Sequence, residues 1–201
     1  MRNIIIFEGS PRKNGNSALL ARQVAAGARE SGAKVESLYL HGMDIKPCSA
    51  CDACQTHRTT DCIIDDDLKP LYPRLRAADA LVFASPIYWF TISAQIKLLI
   101  DRCYALTCLE ASQAATDDEP SCTLKTDLAN KKVGIILTYG DTDPFSSGAV
   151  NALRSFQDMF RFVGAEIVDL VYGSAMTPGE VAKNHDLMNQ AFNLGKKLAT
   201  G

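Results

Sequence analysis

The sequence predicts an α/β fold, a doubly wound parallel sheet of five strands with helices on both faces. Three observations predict it. Short apolar runs rich in β-branched residues alternate with longer segments whose apolar residues repeat at helical spacing. The runs are apolar throughout, as strands buried on both faces are. Gly32 and Gly164 stand where two helical segments stop.

Taken in order, Asn3 to Phe7 reads as a buried strand, followed by a Gly/Ser/Pro/Asn loop from Gly9 to Asn16. Residues 17 to 31 space Leu19, Leu20, Val24 and Ala28 as one face of a helix. A second strand, Lys34 to Leu40, leads into a cysteine loop, 48 to 62. Asp65 to Ala77 reads as a polar helix, with Asp65 to Asp67 suiting its N-terminus. Ala80 to Ala84 is a third strand, and Ile92 to about Leu109 a helix with Ile96, Leu99, Ile100 and Cys103 on one stripe. Residues 110 to 130 are expected to be a polar insertion of low order. Lys132 to Tyr139 is the fourth strand, Ser147 to Val163 a helix, Glu166 to Tyr172 the fifth strand, and Pro178 to Ala199 a closing helix. No repeat or linker divides the chain, so residues 1–201 are expected to form one domain.

Composition excludes several classes. The 201 residues can bury a core without staples. With 21 Lys plus Arg against 23 Asp plus Glu, the net charge of −2 argues against a nucleic-acid binder. No apolar run approaches the ~18–20 residues of a membrane span, and no signal peptide precedes the first strand. Seven cysteines, four of them between Cys48 and Cys62, then point to metal or redox chemistry in a cytoplasmic setting.

In a doubly wound sheet, ligands bind beyond the carboxyl ends of the strands. The loop after strand one leaves a strand and enters a helix, whose first N–H groups and dipole favour an anion. Ser10, Asn16 and Ser17 add neutral donors there and Arg12 a guanidinium. The nucleotide P-loop does not fit: five residues separate Gly9 from Gly15, and Asn16 stands where a lysine is needed. The three-glycine dinucleotide pattern does not fit either. A mononucleotide phosphate fits, and a solvated turn with an Asn or Ser cap is the bland alternative.

After strand three, Tyr88, Trp89 and Phe90 follow Ser85-Pro86-Ile87. They suit a flat aromatic ligand or an interface, against a plain role in covering the next helix. After strand four, Thr138-Tyr139-Gly140 offers a ring and backbone donors, or an ordinary turn. The cysteines read C-x2-C-x2-C-x7-C, which leaves a cluster, zinc, a disulfide or bare thiols open. Nothing requires His57 as a ligand, and His41 and His185 read as surface residues. Asp65 to Asp67 and Asp141 with Asp143 read as solvated turns or helix starts. Cys103 reads as core, while Cys108 and Cys122 carry no assigned role.

Gly9-Ser10-Pro11-Arg12-Lys13-Asn14-Gly15-Asn16-Ser17 followed by Ser85 to Lys97 and Ile100-Asp101-Arg102 resembles the NADPH-dependent FMN reductase family. Within that family it is most similar to the iron–sulfur flavoprotein branch, over about residues 3 to 172. The resemblance implies a flavodoxin-like sheet of strand order 2-1-3-4-5 and bound FMN. It implies that Ser10, Arg12, Asn14, Gly15, Asn16 and Ser17 hold the phosphate. Pro86, Ile87, Tyr88, Trp89 and Phe90 would line the isoalloxazine, with Thr138, Tyr139 and Gly140 on its other edge. Cys48, Cys51, Cys54 and Cys62 would ligate one [4Fe–4S] cluster, whose iron prefers soft thiolates. NADPH or NADH would be the donor, and a quinone, a second flavin or another small molecule the acceptor, in a homodimer or homotetramer. The alternative within the branch is a non-enzymatic carrier fed by ferredoxin. Thr91 stands where a glycine is frequent, which matters only if the backbone there needs a positive φ. A rival from another class, a phosphate-binding hydrolase or signalling domain, needs a nucleophile at the first loop, and neither Ser10 nor Ser17 has an evident base.

Overall fold

The computed structural model describes residues 1–56, 61–111 and 122–200, without the side chains of 109–111, 122 and 123. Five strands form the parallel sheet: β1 (Asn3–Glu8), β2 (Lys34–Tyr39), β3 (Ala80–Tyr88), β7 (Lys132–Tyr139) and β8 (Glu166–Ser174). Their order is β2-β1-β3-β7-β8, the predicted 2-1-3-4-5. The chain leaves β1 for one neighbour and returns on the other side for β3, so strand order reverses between β1 and β3.

Side chains alternate along each strand with period two and build two cores. Ile4, Ile6, Val82 and Ile136 pack under α1 (Asn16–Glu30) and α6 (His185–Thr200). Ile5, Phe7, Leu81, Phe83 and Ile135 face α3 (Tyr72–Ala77), α4 (Ala94–Arg102) and α5 (Ala149–Phe162). Phe83 anchors the second core, with ring centroids 5.1 Å from Phe7, 5.7 Å from Phe156 and 5.3 Å from Phe160. Full burial of each such ring contributes about 1.5–3 kcal/mol.

Five sequence expectations change. Strand three runs on to Tyr88, because β7 pairs it as far as Pro86 opposite Thr138. It then turns through Trp89 and Phe90 into β4 (Thr91–Ile92). The helix expected from Ile92 to Leu109 is α4 alone; residues 103–106 tighten into a 3-10 turn. The polar insertion contains an antiparallel hairpin, β5 (Thr107–Ala111) with β6 (Cys122–Thr126), and the rest of that expectation lies on residues 112–121, outside those described. The closing helix is divided: a 3-10 turn, Glu180–Lys183, precedes α6.

The fifth correction is at Asp65 to Asp67. The helix predicted there is a 3-10 turn, Lys69–Leu71, running into α3, so these aspartates are not helix starts. The Asp66 carboxylate is instead fully buried against Arg102 at 2.6 Å and accepts the Lys46 and Leu68 N–H groups. Burial by itself would raise this carboxyl; the bonds from Arg102 and the two N–H groups hold it below the ordinary aspartate value. The pair ties α4 to the chain leaving the cysteine loop. Among the described residues no helix is long and apolar enough to cross a membrane.

Candidate functional site

Beyond the carboxyl ends of β1 and β3 lies a cleft lined by Ser10, Arg12, Gly15, Asn16, Ser17, Pro86, Ile87, Tyr88, Thr138, Tyr139 and Gly140. Three loops far apart in sequence thus meet at the point where strand order reverses, the usual ligand position. A fourth wall, Ala175 to Pro178 after β8, completes it. Sequence reasoning missed that wall. Its signal was a run of small and turn-forming residues following the fifth strand, at the same sheet edge.

The floor of the cleft is the start of α1, whose first N–H groups have no carbonyl behind them. Ser17 Oγ, in that first turn, is buried and has no hydrogen-bond partner among the described residues. A buried hydroxyl left unpaired costs about 1–3 kcal/mol, so its presence points to an acceptor from outside the chain. Ser10 plays a different part: its hydroxyl donates to Arg12 O at 3.1 Å and accepts Arg12 N–H at 3.1 Å, closing the loop on itself. Asn16 is also spent. Its amide donates to Thr177 O at 2.9 Å and its carbonyl accepts Val181 N–H at 3.2 Å, stapling α1 to the fourth wall. Asn14 does not line the cleft; its carbonyl accepts from Arg22 at 3.2 Å.

On the aromatic side, Tyr88 lines the cleft but Trp89 and Phe90 stand beyond it, Trp89 being 91% exposed. They are the central pair of a two-residue hairpin turn, and both have positive φ, +48° and +65°. Such turns favour Asn-Gly, so two bulky rings here are strained. The strain is held from α5: Gly148 packs against the Phe90 backbone, and the Asn151 amide donates to Phe90 O at 3.3 Å. Thr91 lies in β4, so the positive φ falls one and two residues earlier. Tyr139 is buried at the end of β7, and burial pushes its phenol up, keeping it a neutral donor.

The four cysteines Cys48, Cys51, Cys54 and Cys62 line a second cavity of about 270 Å³ with Ile63, Ile64, Asp101 and Tyr104. Left-handed backbone at Ala50 and Asp52 brackets Cys51. Hydrogen bonds, first from the Ala53 N–H, hold the Cys51 thiol below its ordinary value, whereas burial raises Cys54. Among the described residues no three His, Cys, Asp or Glu side chains are grouped to hold one metal ion. The donor type suits a soft metal; the arrangement does not assemble it, and His57 lies outside the described residues. A larger cavity, about 470 Å³, lies between this loop and the β5–β6 hairpin, but Arg76 there is already paired with Asp61 and Asp127. The smaller β1–β3 cleft, about 170 Å³, is where an unspent hydroxyl and helix N–H groups meet.

The model of the NADPH-dependent FMN reductase family matches residues 2–171, which include three walls of this cleft. The chain belongs to the NADPH-dependent FMN reductase family. Membership makes it an oxidoreductase by class. An iron-sulfur flavoprotein of Methanocaldococcus jannaschii is 28% identical over 202 residues, 98% of this chain and 95% of that one. An iron-sulfur flavoprotein of Methanosarcina thermophila is 36% identical over 96 residues, 48% of this chain and about half, 49%, of that one. Among solved structures, an NAD(P)H:quinone oxidoreductase from Methanothermobacter marburgensis superposes with a TM-score of 0.72 at 19% identity, covering 98% of each chain. At that identity the likeness is one of fold, and it agrees with the flavodoxin-like strand order of this family member.

Proposed function

We propose that this family member carries FMN in the β1–β3 cleft and passes electrons from NADPH or NADH to a small acceptor of the quinone type. The observation that carries the proposal is the unpartnered, buried Ser17 hydroxyl among free helix N–H groups, facing a cleft built from three predicted loops. That is an anion seat joined to a flat slot, which suits a phosphorylated flavin. Bound FMN would supply hydride and single-electron chemistry, and the protein would supply position and electronics. Ser17 and the first turn of α1 hold the phosphate, with Arg12 adding charge. Pro86 to Tyr88 and Thr138 to Gly140 flank the ring system. Tyr139, kept neutral by burial, offers a donor at one edge without bringing charge into the slot.

The test is anaerobic purification with a visible spectrum, followed by titration of the apoprotein with FMN. A flavin spectrum that NADPH or NADH bleaches and a quinone restores is expected. A chain that takes up no FMN at excess overturns the proposal.

A second reading, an iron–sulfur electron carrier accepting from ferredoxin, is favoured by the four thiols on one cavity and by the names of the two relatives above. It predicts stoichiometric iron and acid-labile sulfide, and little turnover with nicotinamides. Purified protein without iron overturns it. The working form proposed is a homodimer or homotetramer, since Trp89 and Phe145 leave 91% and 75% of their surface exposed; light scattering decides this.

A further inference from the structure

We propose that Arg22 and Tyr39, neither of which lines the cleft, are positioning residues that shape the 10–17 loop to receive a phosphate. The inference rests on the flavin reading above and names what makes the site select the phosphorylated form.

The phosphate loop has carbonyls as well as N–H groups, and a carbonyl aimed at an anion repels it. Two of them are held from outside. Tyr39, at the end of β2, donates its hydroxyl to Pro11 O at 2.7 Å. Arg22, from α1, donates Nη1 to Lys13 O at 2.8 Å and Nη2 to the Asn14 side-chain carbonyl at 3.2 Å. In a trans peptide the C=O and the next N–H point in opposite directions. Fixing Pro11 C=O toward Tyr39 therefore turns Arg12 N–H the other way, and it is found on Ser10 Oγ at 3.1 Å. Fixing Lys13 C=O toward Arg22 likewise turns Asn14 N–H away from the Arg22 side of the loop. Gly15 N–H closes the turn on Arg12 O at 2.9 Å. Lys13 Nζ lies 5.4 Å from the centre of the Tyr39 ring, so the same ring also steadies the loop's exposed side chain. Glu8, half-buried just before the loop, lies in the field of Arg22.

Each contact removed should loosen the loop by the worth of one hydrogen bond, about two- to tenfold in affinity. The loss should fall on FMN and spare riboflavin, because only the phosphate uses the loop. The experiment measures dissociation constants of both flavins for the full-length apoprotein by fluorescence quenching. It compares wild type, Tyr39→Phe, Arg22→Gln and Arg22→Lys, each checked by thermal melting. The expected result is FMN affinity lowered about two- to tenfold in all three variants, with riboflavin affinity unchanged. Lysine keeps the charge but not the two-pronged contact, so full recovery in Arg22→Lys means charge alone acts, and overturns the proposal. Equal weakening of FMN and riboflavin, or no weakening of FMN, overturns it too. A wild-type chain that binds neither flavin removes the flavin reading itself, and this inference with it.

Discussion

Gly148→Ala is expected to damage the fold and the cleft together. Gly148 has φ +80°, and a Cβ there would stand 2.4 Å from both Phe90 Cα and Phe90 O and 2.6 Å from Phe90 C. Backbone must move by about an ångström to reach ordinary contact, and Phe90 has little room to give. Its turn is only two residues long and is closed by the pairing of Tyr88 with Thr91. A left-handed alanine costs about 1–2 kcal/mol and overpacking about 1–3 kcal/mol, so the total is about 2–5 kcal/mol. At roughly 2–4 °C per kcal/mol, the melting temperature should fall by about 4–20 °C. Gly179→Ala is the control: φ there is +82°, but a Cβ meets nothing within 4 Å. It should show only the conformational part, about 1–2 kcal/mol. Because Tyr88 lines the cleft, Gly148→Ala should also weaken FMN and riboflavin alike, unlike the phosphate-loop variants. Thermal unfolding followed by circular dichroism and flavin titration read the two effects. Equal melting shifts in the two variants, or unaltered flavin affinity in Gly148→Ala, refute the claim that this glycine holds the strained turn.

Ser17→Ala should act with opposite signs on the empty and filled protein. Removing an unpaired buried hydroxyl should stabilise the apoprotein by up to about 1–3 kcal/mol while lowering FMN affinity, and a stabilised variant with full affinity would rule out Ser17 as a phosphate ligand. Asn16→Ala should loosen the wall formed by Ala175 to Pro178 and weaken both flavins together; a loss confined to FMN would return Asn16 to the phosphate. The Asp66 carboxyl is depressed in the folded state, so its contribution is full above the unfolded-state value near 3.9 and is lost as pH falls through the lower folded value. Asp66→Asn should cost about 3–5 kcal/mol at pH 7, since it leaves Arg102 buried and uncompensated, and the gap to wild type in urea melts should shrink in strong acid. A gap that does not change with pH would refute this.

Much of the site was legible because it sits where local chemistry and topology coincide. A strand, a loop of small polar residues and a helix start predict an anion seat, and Ser17 lines the cleft at that place. Asn14 and Asn16 carry partners that the same pattern does not show. Their side chains have the right chemistry, but one is held by Arg22 and the other by the backbone at 177 and 181, partners at 8, 161 and 165 residues' separation. Trp89 and Phe90 were legible as an aromatic cluster, yet a hairpin turn lifts them out of the slot. Asp65 and Asp67 are exposed, as solvated residues should be, but Asp66 is buried on Arg102, a partner 36 residues on that the local sequence does not display.

Periodicity by itself determined the layers, the five strands and their crossovers, because the faces a segment must bury are written in its own residues. The strand order, the reversal point and three of the four cleft walls follow from those elements and the family pattern. Tertiary structure alone decided which polar groups remain unspent. A hydroxyl or an amide is available to a ligand only if no other part of the chain has taken it, and that depends on neighbours distant in sequence. For the same reason the four cysteines share a cavity wall without being grouped to hold a single metal ion among the described residues, although their spacing suggests a ligand set.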